Sequence, residues 1–102
     1  MKQLSFILTF VLLALFSNAQ TPTNSPAASV PAGRGLFLKN CAHCHGTDAH
    51  GDEGPDLHKL DWTDEQITTR IRNGKKGQMT AFAGKLSADQ INEIENYLRT
   101  LK

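Results

Sequence analysis

The amino-acid sequence predicts an all-α domain. Apolar residues recur at helical spacing in three places, and the apolar/polar alternation of a half-buried strand is missing. Two of the three helical stretches also open on the same capping pattern.

The first helix is expected from about Gly33 into "CAHCH", Cys41 to His45. Phe37 stands one turn before Cys41 and Cys44 nearly one turn after it, so Phe37 and both sulfurs share a face. The middle helix starts where Thr63 and Gln66 form a capping box, with Trp62 and Ile67 placed as a hydrophobic staple. Ile71 continues its apolar stripe, and Asn73-Gly74 supplies a left-handed stop. The last helix repeats the device with Ser87 and Gln90 as the box and Leu86 and Ile91 as the staple. Ile91, Ile94, Leu98 and Leu101 fall on one stripe with Tyr97 beside it. Asp89, Glu93 and Glu95 are expected to face water, toward the positive helix N-terminus.

The segment before these helices divides in two. Lys2, an apolar run from Leu4 to Phe16, and then Ser17, Asn18 and Ala19 have the layout of a secretory signal peptide over residues 1–19. The run is shorter than the about 20 residues a spanning helix needs, so an uncleaved membrane anchor is the weaker alternative. Residues 20–32, containing "QTPTNSPAASVP", carry no apolar period and are expected to form a flexible Pro/Ser/Thr/Ala tether. The folded domain is then 33–102, a size at which an apolar core alone is marginal and some staple is usual.

Cys41, Cys44 and His45 offer three chemistries: a dithiol couple, part of a zinc site, or covalent haem attachment. Structural zinc needs four ligands, and only one Cys pair is present; His50 or His58 would have to complete the set. A thioredoxin-like couple needs a βαβ context, which the pattern lacks. A disulfide across three positions closes a tiny loop, stabilises little and leaves His45 without a role. Haem attachment uses all three residues: both sulfurs form thioethers and the imidazole reaches the iron. It also supplies the staple. The second axial position then falls to Met79, in "GQMTAF", the only methionine apart from Met1. Its loop lies between the last two helices, from which the chain reaches the distal haem face, and His/Met ligation suits electron transfer. His43, His50 and His58 are the competing ligands, expected to be solvated.

With Lys2 removed the chain is formally neutral, and nothing suggests a nucleic-acid partner. Its charge is nevertheless divided. Residues 48–65 hold seven acidic side chains against Lys59 alone, whereas residues 70–85 hold Arg70, Arg72, Lys75, Lys76 and Lys85 and no acid. The basic run precedes and borders Met79, where it suits pairing with a propionate or steering of an acidic redox partner.

These residues resemble the class I c-type cytochromes, of the small bacterial monohaem sort, from about Gly33 to Leu101. The resemblance implies a small cytochrome c fold whose N- and C-terminal helices cross around one covalently bound haem c. Gly33 and Phe37 stand where the family packs its first helix across its last, and Tyr97 in "NYLRTL" matches the aromatic opposite. "GPDL" resembles the segment whose proline carbonyl accepts a hydrogen bond from the proximal histidine, which implies Pro55 for His45, with Leu57 packing on the haem. "RIRNGKKGQMTAF" resembles the methionine loop and implies Met79 as ligand and Arg70 near a propionate. Thr80 departs from the family, which often has proline there. The implied function is electron transfer with no catalytic residue, in a periplasmic or otherwise exported monomer that meets redox partner proteins, acidic docking surfaces among them. Membrane contact follows only if the signal segment is kept. The alternatives are a haem module or subunit of a larger oxidase or reductase complex, or an open-iron enzyme or sensor.

Overall fold

Two helices of the fold begin as their capping residues dictate. Thr63 Oγ1 accepts from the Gln66 N–H at 3.2 Å while Gln66 Oε1 accepts from the Thr63 N–H at 2.8 Å. Ser87 and Gln90 make the same reciprocal pair at 3.1 and 2.9 Å. Each pair satisfies two backbone donors that would otherwise lack partners. In this computed structural model, which describes residues 26–102, the helices are α1 (Pro26–Asn40), α2 (Ala42–His45), α3 (Asp64–Asn73) and α4 (Ala88–Leu98). The described residues form no strand, only an antiparallel bridge between Lys75 and Met79. The proposed signal segment and the first part of the tether lie outside them.

The first helix differs from expectation at both ends. Its described part runs from Pro26, so residues 26–32 of the stretch read as tether are helical. Pro31 lies inside the helix. At the other end Cys41 departs from helical backbone (φ −121°, ψ −30°), although its N–H still donates to Phe37 O at 2.8 Å and its carbonyl accepts from the His45 N–H at 3.0 Å. α2 is thus a continuation of α1 after a one-residue break.

α1 packs across α4. A Cβ on Gly33 would lie 1.9 Å from the Glu93 carbonyl oxygen and 3.0 Å from Tyr97 Cβ, so only glycine permits this approach. One turn on, the fully buried Phe37 ring sits 5.3 Å from that of Tyr97, tilted by 51°. The core continues through Ile67 and Ile71 of α3, Phe82 and Leu86 before α4, and Ile91, Ile94 and Leu98 within it.

Two expected faces are corrected. Trp62 is exposed rather than stapled onto Ile67; its ring lies 5.4 Å beneath the Arg70 guanidinium, an arrangement in which the ring's negative face meets the cation. Glu95, expected in water, is buried, and the partner that makes this tolerable is Arg99 one turn later. Arg99 Nε donates to Glu95 Oε1 at 3.1 Å and to Asp64 Oδ1 at 2.9 Å, and Nη2 donates to Asp64 Oδ1 at 2.6 Å and to the Trp62 carbonyl. The end of α4 is thereby tied to the start of α3.

Candidate haem site

The break at Cys41 and the short α2 place Cys41, Cys44 and His45 within about one turn of one helical path. Both cysteines are free thiols, Cys41 buried and Cys44 half-buried. Burial, and then the neighbouring Cys44, pushes the Cys41 thiol up to about 11. A thiol so held is a poor thiolate, which is unsuited to a reactive dithiol couple. The zinc alternative also loses its extra ligands. Among the described residues, one group of potential metal ligands has donor atoms all within 4.8 Å of one another, His50, Asp56 and His58, and it includes neither cysteine.

His45 is buried, and its Nδ1 lies 2.8 Å from the Pro55 carbonyl oxygen. A carbonyl only accepts, so Nδ1 carries the proton and Nε2 keeps its lone pair, as a metal ligand requires. The loop from 46 to 57 is folded to make this bond. Gly54 N–H donates to Cys44 O at 2.7 Å, Gly51 N–H to His45 O at 2.8 Å, and Leu57 N–H to Ala49 O at 2.9 Å. A Cβ on Gly54 would stand 2.9 Å from His45 Cε1 and 3.0 Å from Nδ1, so the ring is walled by a residue that only glycine allows. This role of Gly54 was not legible from spacing alone.

Met79 is half-buried at the end of a tight turn. Its N–H and carbonyl both pair with Lys75, at 2.8 Å each way, and Gly77 takes the positive φ (73°) that the turn needs. Gly74, also at positive φ, is pressed against this segment: a Cβ there would lie 2.3 Å from Met79 O. Met79 and Leu57 pack against the cluster that contains Cys41, so these candidates share one apolar region. The other candidates fall elsewhere. Arg70 lies over Trp62 beside a cleft of about 420 Å³ lined also by Glu65, Gln66 and Thr69, and by neither cysteine, His45 nor Met79. His43 is exposed. His50 and His58 are occupied with Asp56, whose carboxyl is held down at about 2 by the His58 backbone N–H and then by the side chains of His50 and His58.

The donor set fits haem c: two free thiols spaced for thioethers, an imidazole with its Nε2 lone pair available, a thioether, and an apolar lining. Comparison with known proteins agrees. Residues 28–98 match the family model described as cytochrome c oxidase, cbb3-type, subunit III. A Cbb3-type cytochrome c oxidase subunit FixP of Rhizobium etli is 32% identical over 96 residues, 87% of this chain and 33% of that protein. The chain spans about a third of the length of such curated relatives, or less. Cytochrome c6 of Gracilaria tenuistipitata var. liui is 30% identical over 87% of this chain and 86% of its own. Among solved structures, cytochrome cL from Hyphomicrobium denitrificans superposes with a TM-score of 0.68 at 27% identity, over 74% of this chain and 48% of that one. Cytochrome c6 from the diatom Phaeodactylum tricornutum gives 0.61 at 32% identity, over 70% and 91%. The chain belongs to the cbb3-type subunit III family of cytochrome c domains, all-α proteins that carry covalent haem c and transfer electrons.

Proposed function

We propose that Cys41 and Cys44 hold the haem, that His45 and Met79 are its axial ligands, and that this domain is an exported one-electron carrier rather than an enzyme. Bound haem c supplies a one-electron couple at its iron. The chain's own residues set the conditions for it. His45 offers Nε2 because Pro55 fixes the proton on Nδ1, and this 2.8 Å bond is the observation that carries the reading. The carbonyl also raises the basicity of the ring. Met79 is held by its backbone pairing to Lys75, which limits the positions its sulfur can reach. Leu57 and the buried Cys41 region keep water away, whereas Arg70, stacked over Trp62, would have to leave that ring to reach a propionate. The basic run from Arg70 to Lys85 suits steering of an acidic redox partner.

A second reading, favoured by the names of the relatives and by their greater length, is that the domain serves as the haem module of a larger oxidase. Among the described residues no helix is long and apolar enough to cross a membrane. Co-purification of the holoprotein from its own membrane and periplasmic fractions separates the two readings. The ligand assignment is tested by the absorption spectrum of the oxidised holoprotein. A weak methionine-to-iron band at the red edge supports it, and a spectrum without that band overturns Met79 as ligand.

A further inference from the structure

A carboxylate and two histidines meet on the loop that follows His45, outside the electron-transfer site. The N–H of Leu57 donates to Ala49 O at 2.9 Å, and this pairing brings the next residues, His50 and His58, side by side. Their rings stack with centroids 3.7 Å apart and planes only 6° from parallel. Asp56 lies at their edge, with Oδ2 3.2 Å from His50 Nδ1 and Oδ1 2.8 Å from His58 Nδ1. We propose that His50, Asp56 and His58 form a surface binding site for a divalent transition-metal cation of the class that prefers imidazole and carboxylate, with Zn²⁺ as its representative.

The distances carry the argument. Ligands about 2.0–2.1 Å from a tetrahedral ion stand roughly 3.3 Å apart; here each Nδ1 faces a different oxygen of Asp56 and the three donor groups lie within 4.8 Å of one another, so side-chain rotations that unstack the two rings bring them onto one ion. An ion entering here replaces the two N–H···O bonds with bonds to both Nδ1 atoms and one carboxylate oxygen. Each neutral imidazole moves its proton to Nε2, so no oxidant or further base is needed. Two imidazoles and a carboxylate make a three-ligand set with a position left for water, and they suit Zn²⁺ better than Ca²⁺ or Mg²⁺, which take oxygen ligands. The His50 N–H is bonded to Asp48 Oδ1 at 3.0 Å and the His58 N–H to Asp56 Oδ1 at 2.8 Å, which fixes the backbone at both histidines. Access is open: the His50 and Asp56 side chains are 59% and 51% exposed. Asp48, Asp52 and Glu53, with no Lys or Arg between residues 40 and 58, leave the surrounding loop net negative and attractive to a cation.

The test is calorimetric titration of the tag-free holoprotein with Zn²⁺ alone, with haem absorbance confirming that each variant is folded. Wild type is expected to take up one equivalent, with affinity lowered at least tenfold in the double variant His50→Gln/His58→Gln and also in Asp56→Asn. His43→Gln, which alters an exposed histidine of the attachment motif, is expected to leave binding unchanged. Wild type with no saturable uptake, or a double variant that binds as tightly as wild type, overturns the site. Because uptake of Zn²⁺ is read directly, either result stands apart from the assignment of His45 and Met79.

Discussion

A single methyl group at position 54 is enough to reach His45, because a Cβ there would lie within 3.0 Å of the ring nitrogen bonded to Pro55. Gly54→Ala is therefore expected to push the ring off the carbonyl and weaken the bond that makes the imidazole a stronger donor. Potentiometry of the holoprotein should show a raised reduction potential, and melting should show a loss of about 1–3 kcal/mol, the usual cost of overpacking. An unchanged potential and melting point would mean that Gly54 does not position the ligand. At this scale the residue types were legible and their walls were not. Cys41, Cys44, His45 and Met79 announce themselves by spacing or scarcity, whereas the need for glycine at 54 and 74 comes from chain segments folding back. Gly54 is fixed by its bond to Cys44 O and Gly74 by the return of Met79 and Thr80, contacts that no local pattern encodes.

Helices are held in place by two cross-links of different chemistry. The first is apolar: Gly33, Phe37 and Tyr97 set the crossing of α1 and α4. Phe37→Ala is expected to cost about 3–5 kcal/mol in denaturant unfolding of the holoprotein, as for other buried aromatics. A loss below about 1 kcal/mol would place Phe37 outside the crossing. The second is ionic. Burial first, and then Asp64, raises the Glu95 carboxyl, while Arg99 counters both and lowers Asp64. Removing the cation in Arg99→Ala leaves Glu95 buried without its donor, and a loss of about 1.5–3 kcal/mol is expected. Adding Glu95→Gln to that variant should recover part of the loss, because the uncompensated charge is gone; no recovery would show that Arg99 acts through Leu60, Trp62 and Asp64 alone. The helix starts at Thr63 and Ser87 were legible because a capping box is local. The burial of Glu95 was not, since the Arg99 that pairs with it is held in place by Asp64 and by the Leu60 and Trp62 carbonyls, 35 to 39 positions earlier in the chain. The helical backbone of residues 26–32 was also hidden, by prolines that read as a tether.

For the molecule as a whole, a domain of this size has room for one cofactor and little core besides. Cys41 and Ala42 belong to the same buried cluster as Phe37, Ile94 and Leu98, so the attachment site and the hydrophobic core are one region. The double variant Cys41→Ser/Cys44→Ser is expected to lose covalent haem and cooperative melting together, read by circular dichroism. A helical, cooperative melt without haem would show that the polypeptide core is sufficient. The same compactness explains why the class of function was legible from so few residues: the core and the attachment motif coincide, and that motif lies in a single pentapeptide. The shape of the acidic loop was not legible, because it rests on Asp56 bridging two histidines and on non-glycine residues at positive φ, Ala49 and Lys59. If His45 and Met79 are the axial ligands, as proposed, they set the iron's electronic state, and the reduction potential of Met79→His is the decisive measurement. Imidazole donates more strongly than a thioether, and axial-ligand identity is among the levers that spread haem potentials over about 0.8 V. The variant is expected to keep its haem and to have a markedly lower potential, with a shift larger than that of any surface-charge variant such as Lys76→Gln. A Met79→His protein whose potential equals that of wild type would contradict it and hand the sixth position to another residue.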